Sequence, residues 1–305
     1  MNTLSNQIEN YLYYCTYQKK LSKKTVKAYR IDLTQFSSFA KTEESPLSKQ
    51  CITEYIQKLH AEYKPKSVKR KIACLRAFIN HLEFEEEIER NPIDKLRLDF
   101  REPLALPKAI SLKTIQKLFH AAYGSLNTAD TAQACNATIR DIAVLELLFA
   151  TGLRVSELCG IAAGHINLRE GYVKVQGKGA RERIVFITNP EVLAALRMYK
   201  KMFEVYIHRT GWFFVNRLQQ KLSEQSVRTM IQRYADRAKI AEHITPHMIR
   251  HSFATLMLEE DVDIRYIQSI LGHSSITTTQ IYTHVSPGKQ RRIMKNKHPR
   301  NRVRI

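Results

Sequence analysis

Apolar side chains at Val68, Ile72, Leu75, Ile79 and Leu82 advance in alternating steps of four and three. That spacing lines one side of an α-helix and cannot line one face of a β-strand. Pro65 and Ser67 stand where such a helix would open, proline being tolerated in a first helical turn. An earlier stretch repeats the pattern: Ser22 reads as a cap, and Val26, Tyr29, Leu33 and Phe36 follow at helical spacing. The first hundred residues are therefore expected to be all helix. Between the two apolar stripes lie basic residues, Lys23, Lys24, Lys27 and Arg30 in one helix and Lys69, Arg70, Lys71 and Arg76 in the other. Such rows are either solvated faces or a surface for a polyanion.

Composition bears on that choice. The 305 residues include 49 Lys and Arg against 29 Asp and Glu, a net charge of +20. Excess positive charge repels itself in a compact chain unless a polyanion neutralises it, so nucleic acid is the first partner to consider. Five cysteines, Cys15, Cys51, Cys74, Cys135 and Cys159, are scattered singly with no CxxC pair, which suggests neither a disulfide framework nor a cysteine-rich zinc site. No apolar run approaches the length of a membrane span, and a cytoplasmic protein is expected.

The segment Asp99-Phe-Arg-Glu-Pro-Leu-Ala-Leu-Pro107 carries two prolines and no helical period, the pattern of an extended linker. We expect a helical domain over 1–100, a linker over 101–110, a second domain over 111–288 and a basic tail over 289–305. In the second domain a helix is expected from Ser111 to Ala122, a loop or frayed extension from Tyr123 to Thr138, and a strongly apolar helix from Ile139 to Phe149. Gly171 to Ile187 alternates apolar residues around Gly177-Lys-Gly-Ala180, which predicts a β-hairpin. Trp212-Phe-Phe-Val215 fits a short strand or a packed apolar segment, and helix resumes from Ser223. The fold class is thus mainly α with a small β-sheet. The tail from Lys289 to Arg304 holds eight Lys or Arg and no acid. It reads as a phosphate-binding arm or a solubilising end, with Ile293 and Met294 hinting that its first part packs.

Several polar residues are chemically matched although distant in sequence: Arg154, Lys178, His247, Arg250, His273 and Tyr282. After Thr245-Pro246, helical spacing sets Ile249, Phe253 and Leu256 on an apolar face and His247, Arg250 and His251 on a polar one. Arg250 can offer a planar fork to two phosphate oxygens, and His247 can move a proton near neutral pH. His247 and His251 would also suit a metal, but the HExxH order is absent and none is expected. Arg154 can pair with Glu157 three residues on, which is also what a structural salt bridge would look like. Lys178 at a hairpin tip is either solvated or able to reach a leaving oxygen.

The strings Ala150-Thr-Gly-Leu-Arg-Val-Ser-Glu-Leu158, Arg250-His-Ser-Phe-Ala-Thr255, Leu271-Gly-His-Ser-Ser275 and Thr279-Gln-Ile-Tyr-Thr-His-Val285 resemble the signature of tyrosine site-specific recombinases, the phage integrase family, and most closely its Xer-type members. The resemblance spans nearly the whole chain. It implies a helical, SAM-like core-binding domain, a mixed α/β catalytic domain, and strand exchange through a 3′-phosphotyrosyl link. In that mechanism Tyr282 attacks phosphorus, His247 accepts its proton, and Arg154 and Arg250 stabilise the non-bridging oxygens. Lys178 protonates the leaving 5′ oxygen, His273 donates a hydrogen bond and Glu157 supports Arg154. No energy cofactor or metal is implied. The partners implied are double-stranded DNA and a homo- or hetero-tetramer on two duplexes, with a second recombinase or accessory protein allowed. The biological task would be chromosome dimer resolution at cell division or integration of a mobile element. The C-terminal segment would reach into a neighbouring subunit. Alternatives are a type IB topoisomerase-like strand transferase, a non-catalytic DNA-binding regulator and, more distantly, a metallohydrolase built on His247 and His251.

Overall fold

The structure is a computed structural model that describes residues 3–42, 45–94, 96, 109–177, 182–272 and 287–303. The chain divides into two compact units, Met1–Ala105 and Leu106–Ile305. The linker expected between Asp99 and Pro107 lies outside the described residues.

In the first unit the described elements are helical: α1 (Leu4–Tyr17), α2 (Lys23–Phe39), α3 (Lys49–Glu62) and α4 (Pro65–Phe84), with one short 3-10 turn. Ser22 caps α2, its side chain accepting from the Thr25 amide, and Pro65 opens α4. Both follow from first-turn chemistry, where a side-chain oxygen or a missing N–H removes an orphan donor. The stripe Val68, Ile72, Leu75, Ile79, Leu82 is buried and packs with Leu33, Phe36, Ile52 and Leu59 in one core.

The second unit is built around α6 (Ala132–Thr151), which packs against α5 (Leu112–Asn127), α7 (Val155–Cys159), α8 (Pro190–Thr210), α9 (Glu224–Arg237) and α10 (Pro246–Glu259). From Thr138 to Thr151 only Arg140 escapes full burial. A helix apolar on all sides belongs in the middle of a domain. Where a loop or frayed extension is expected over 123–138, the chain is mostly helical. Helix α5 runs on to Asn127, Thr131 caps α6, and only a four-residue break separates them. The polar composition of that stretch hid two helix ends, whose outer faces are solvated and therefore carry no apolar period.

The predicted hairpin is present as β2 (Tyr172–Gln176) and β3 (Glu182–Phe186), joined by β1 (Ile166–Asn167) into a three-stranded antiparallel sheet in the order β1-β2-β3. Tyr172 faces Phe186 and Gln176 faces Glu182. Val173, Val175 and Val185 turn inward, the alternation of a half-buried sheet. Trp212 and Val215 make isolated bridges around the buried Phe213 and Phe214. Helix α11 (Ile264–Leu271) follows α10, and α12 (Pro287–Asn296) packs beside β3. Cys15, Cys51, Cys74 and Cys159 are buried and Cys135 is half-buried, none of them in a disulfide. Among the described residues no helix is long and apolar enough to cross a membrane.

The described part of the C-terminal segment is docked in its own unit. Met294, His298, Pro299, Arg300 and Val303 are buried. The Arg300 guanidinium, wholly shielded from solvent, grips the equally buried Glu146 of α6 through Nε and Nη2 at 2.6 and 2.7 Å. Tyr123 donates to the same carboxylate at 2.8 Å. His298 donates to the Ala150 carbonyl through Nε2 and accepts the Arg300 amide on Nδ1, which fixes a neutral ring. Burial pushes its pKa down to about 4 against the pull of that carbonyl. The basic charge that suggested a phosphate arm is thus partly spent on an internal acid.

Removing one member of a buried pair leaves the other charge uncompensated, at a cost of about 3–5 kcal/mol. Arg300→Met is expected to destabilise the protein by that amount in urea unfolding, and adding Glu146→Leu should recover most of it.

Candidate active site

Gly152 ends α6 in the left-handed conformation, φ +59°. A Cβ there would lie 2.7 Å from both Leu271 and Phe253, so only glycine lets the ends of α6 and α11 meet over α10. Two residues on, Arg154 caps α7. Its backbone amide donates to Glu157 Oε2 and its Nη1 to Glu157 Oε1, each at 2.9 Å. Its side chain remains 40 % exposed.

Arg250 is placed differently from expectation. It does not share an open polar face with His247; it is buried, 5 % exposed. Its Nη1 donates to the Gly152 carbonyl and its Nη2 to the Leu271 carbonyl, both at 2.8 Å. Helical spacing gives the direction a side chain leaves its helix, but not that two other helices end there with unpaired carbonyls that attract a cation. Nη1 of Arg250 also lies 3.9 Å from Glu157 Oε2. Burial, with the charge of Arg154 close by, pulls its pKa down to about 10 against the opposing effect of Glu157, so it stays cationic at neutral pH. Two of its five N–H donors are committed to carbonyls.

Glu157 is the hub. Besides Arg154 and Arg250 it receives Arg183 of β3, whose Nη1 and Nη2 donate to Oε1 and Oε2 at 3.1 and 2.9 Å. Burial works to raise the Glu157 pKa, but hydrogen bonds from Arg183 and Arg154 outweigh it and hold the carboxyl below its ordinary range. Three consecutive carbonyls at the end of α11 each take one of these arginines: Ile270 accepts from Arg183 Nε at 2.8 Å, Leu271 from Arg250, and Gly272 from Arg154 Nη2 at 3.4 Å. Arg183 is not among the residues that the sequence motifs single out. Arg183 faces Val175 across the hairpin, but Lys174, Gln176 and Glu182 are also polar there, so nothing local singles it out.

His247 stands exposed in the first turn of α10, three residues before Arg250. Lys178, His273 and Tyr282 lie outside the described residues. His273 follows Gly272 directly in the chain, and Lys178 belongs to the connection between β2 and β3.

The basic residues of the first unit divide. Lys23, Lys24, Lys27, Lys69 and Arg76 are exposed. Arg30 is exposed and pairs with Glu9. Lys71 is not a surface cation: it is buried, donates to Asp32 at 3.0 Å and to Gln35, and lies over the Tyr63 ring at 4.7 Å. Arg70, half-exposed, holds the same Asp32. A basic residue adjoining the apolar stripe is drawn inward when the facing helix offers a buried acid, and Asp32 of α2 does so.

A carboxyl depressed in the folded state stabilises the fold above its unfolded pKa of roughly 4.3, and that contribution is lost as pH falls through the lower folded value. Glu157→Gln should therefore flatten the acid limb of stability below about pH 4.3, read as thermal midpoint against pH.

The family model described as the phage integrase family matches residues 113–289, and that of the phage integrase N-terminal SAM-like domain matches residues 8–86. A tyrosine recombinase of Agathobacter rectalis is 48% identical over 98% of each chain. Tyrosine recombinase XerC of Thermodesulfovibrio yellowstonii is 35% identical over 96% of each, and tyrosine recombinase XerD of Listeria innocua is 33% identical over 97% of this chain and all of that one. In fold, the chain is similar to a lambda integrase dimer bound to a COC′ core site (TM-score 0.70, 18% identity, 93% of this chain, 100% of that one). It is also similar to XerH recombinase bound to difH substrate before cleavage (TM-score 0.69, 18% identity, 94% and 83%). The paired arginines about a buried acid, the helical first unit and these relatives agree: the chain belongs to the phage integrase family and is a Xer-like tyrosine recombinase, an enzyme that breaks and rejoins DNA by transesterification.

Proposed function

We propose that Tyr282 is the nucleophile and that Arg154 and Arg250 hold the phosphate it attacks. The observation that carries this reading is the convergence of these two arginines from different helices, 96 residues apart in sequence, on one carboxylate and one helix end. Fixed cations aimed at the non-bridging oxygens stabilise charge as it grows, without reorganisation during the reaction. The Tyr282 oxygen bonds to phosphorus as the bond to the 5′ oxygen breaks. His247 takes the phenolic proton and Lys178 returns one to the leaving oxygen. His273 donates to the phosphate. One phosphoester replaces another, so the bond energy is kept in the adduct and religation needs no nucleotide or metal.

The substrate in this reading is duplex DNA in the cytoplasm, and four protomers act on two duplexes, alone or with a second recombinase. Lys23, Lys24, Lys27, Lys69 and Arg76, all exposed, are the phosphate contacts we assign to the first unit. The biological task is dimer resolution or mobile-element integration.

Tyr282→Phe should retain DNA affinity and form no protein–DNA adduct that survives denaturation; an adduct would remove the nucleophile assignment. Measured against salt, binding should weaken with a log–log slope of about −0.9 per phosphate contacted. Replacing Lys27 and Lys69 with Gln should flatten that slope by about 1.8, and an unchanged slope would remove those residues from the interface.

A further inference from the structure

Arg183 has no part in the reaction proposed above, yet it is tied into the same cluster more firmly than Arg154. Its side chain is 14 % exposed against 40 % for Arg154. It makes three hydrogen bonds: the fork Nη1 and Nη2 to both oxygens of Glu157, and Nε to the Ile270 carbonyl. Gly272, at φ +67°, leaves the room it needs; a Cβ there would fall 2.8 Å from Arg183 Nη1 and 2.9 Å from Cζ. The residue therefore joins three parts of the unit: the hairpin through β3, the acid of α7, and the end of α11.

Two consequences follow from charge and geometry. Three guanidiniums share one carboxylate, so the cluster carries a formal excess of two positive charges. Without Arg183 that excess falls to one. Both Glu157 oxygens would also lose a donor, and the nearest replacement is Arg250 Nη1, already 3.9 Å from Oε2. A small rotation would bring it into hydrogen-bond range and draw it off the Gly152 carbonyl. Arg250 would then bind its own carboxylate in place of a phosphate.

We propose that Arg183 is a positioning residue for strand cleavage: it saturates Glu157 so that Arg250 and Arg154 stay directed at the phosphate, and it locks the hairpin bearing Lys178 to the helix end that precedes His273. The inference rests on the recombinase mechanism proposed above. Lysine cannot stand in for it, since one ammonium cannot span a carboxylate and a separate carbonyl with the geometry of a planar fork.

The test uses the full chain and a suicide duplex nicked beside a site selected from a randomised DNA pool by adduct formation with the wild type. Single-turnover adduct rate, adduct amplitude, DNA affinity and thermal midpoint are measured for Arg183→Gln, Arg183→Lys, Glu157→Gln and the double variant Arg183→Gln/Glu157→Gln. We expect Arg183→Gln to bind DNA within about threefold of wild type while its rate falls on the order of 100-fold, the scale of loss when reacting groups shift by about 1 Å. Arg183→Lys, which keeps stem and charge and guards against misfolding, should be roughly tenfold slower at unchanged amplitude. The double variant should be about tenfold faster than Arg183→Gln, because the competing carboxylate is gone, a coupling that independent sites do not show. A purely structural Arg183 would lower amplitude and thermal midpoint and leave the rate alone, and that result overturns the proposal. So does an Arg183→Lys rate equal to wild type, or strict additivity in the double variant. A wild type that yields no adduct from any selected duplex would sink the reaction itself, and Arg183's role with it.

Discussion

Glu157 and the three arginines around it fix the geometry on which the rest of the second unit depends. A lone carboxylate with little solvent would lose most of its hydration and gain nothing. Here the Arg183 fork, one N–H of Arg154 and the Arg154 backbone amide take its lone pairs, and a third guanidinium stands just beyond. The same three cations neutralise successive carbonyls at the end of α11, where a helix concentrates unpaired acceptors. The cluster keeps a net positive charge, which is what an anionic phosphate requires. Stability and function draw on the same atoms, because the acid that orients the arginines is also the acid they keep ionised.

The surrounding fold brings these atoms together through backbone constraints. Gly152 allows α6 to end where α10 and α11 cross, and its carbonyl becomes an anchor for Arg250. Gly272 does the same for Arg183 at the end of α11. Helix α6 is enclosed by five other helices, so its terminus has little freedom. At its other flank the buried pair of Glu146 and Arg300 ties in the described C-terminal segment. That segment therefore occupies a place within its own subunit. An exchange of it between protomers, which the family resemblance implies, would have to break a wholly buried ion pair and re-form it elsewhere.

Much of this was legible in the sequence. Two of the first unit's four helices, with the Ser22 cap and the Pro65 opening, the hairpin, and the pairing of Arg154 with Glu157 follow from spacing and residue type. What escaped has a common cause. Helical periodicity reports one helix at a time, so it assigns Arg250 and Lys71 to polar faces. Each is buried because a different element supplies an acceptor, two helix ends for Arg250 and Asp32 for Lys71. Arg183 was overlooked for the same reason, as its partners lie 26 and 87 residues away. The two helix ends between Tyr123 and Thr138 are not legible because solvated helix ends carry no apolar rhythm.

The most direct measurement is a crystal structure of the protein trapped on a suicide duplex. The account predicts that the Tyr282 oxygen is bonded to a DNA phosphorus. It predicts that Arg154 and Arg250 each place an N–H on that same phosphate at roughly 3 Å, with Glu157 still held by Arg183. A phosphate gripped by only one of the two arginines, or linked to any residue other than Tyr282, would contradict it.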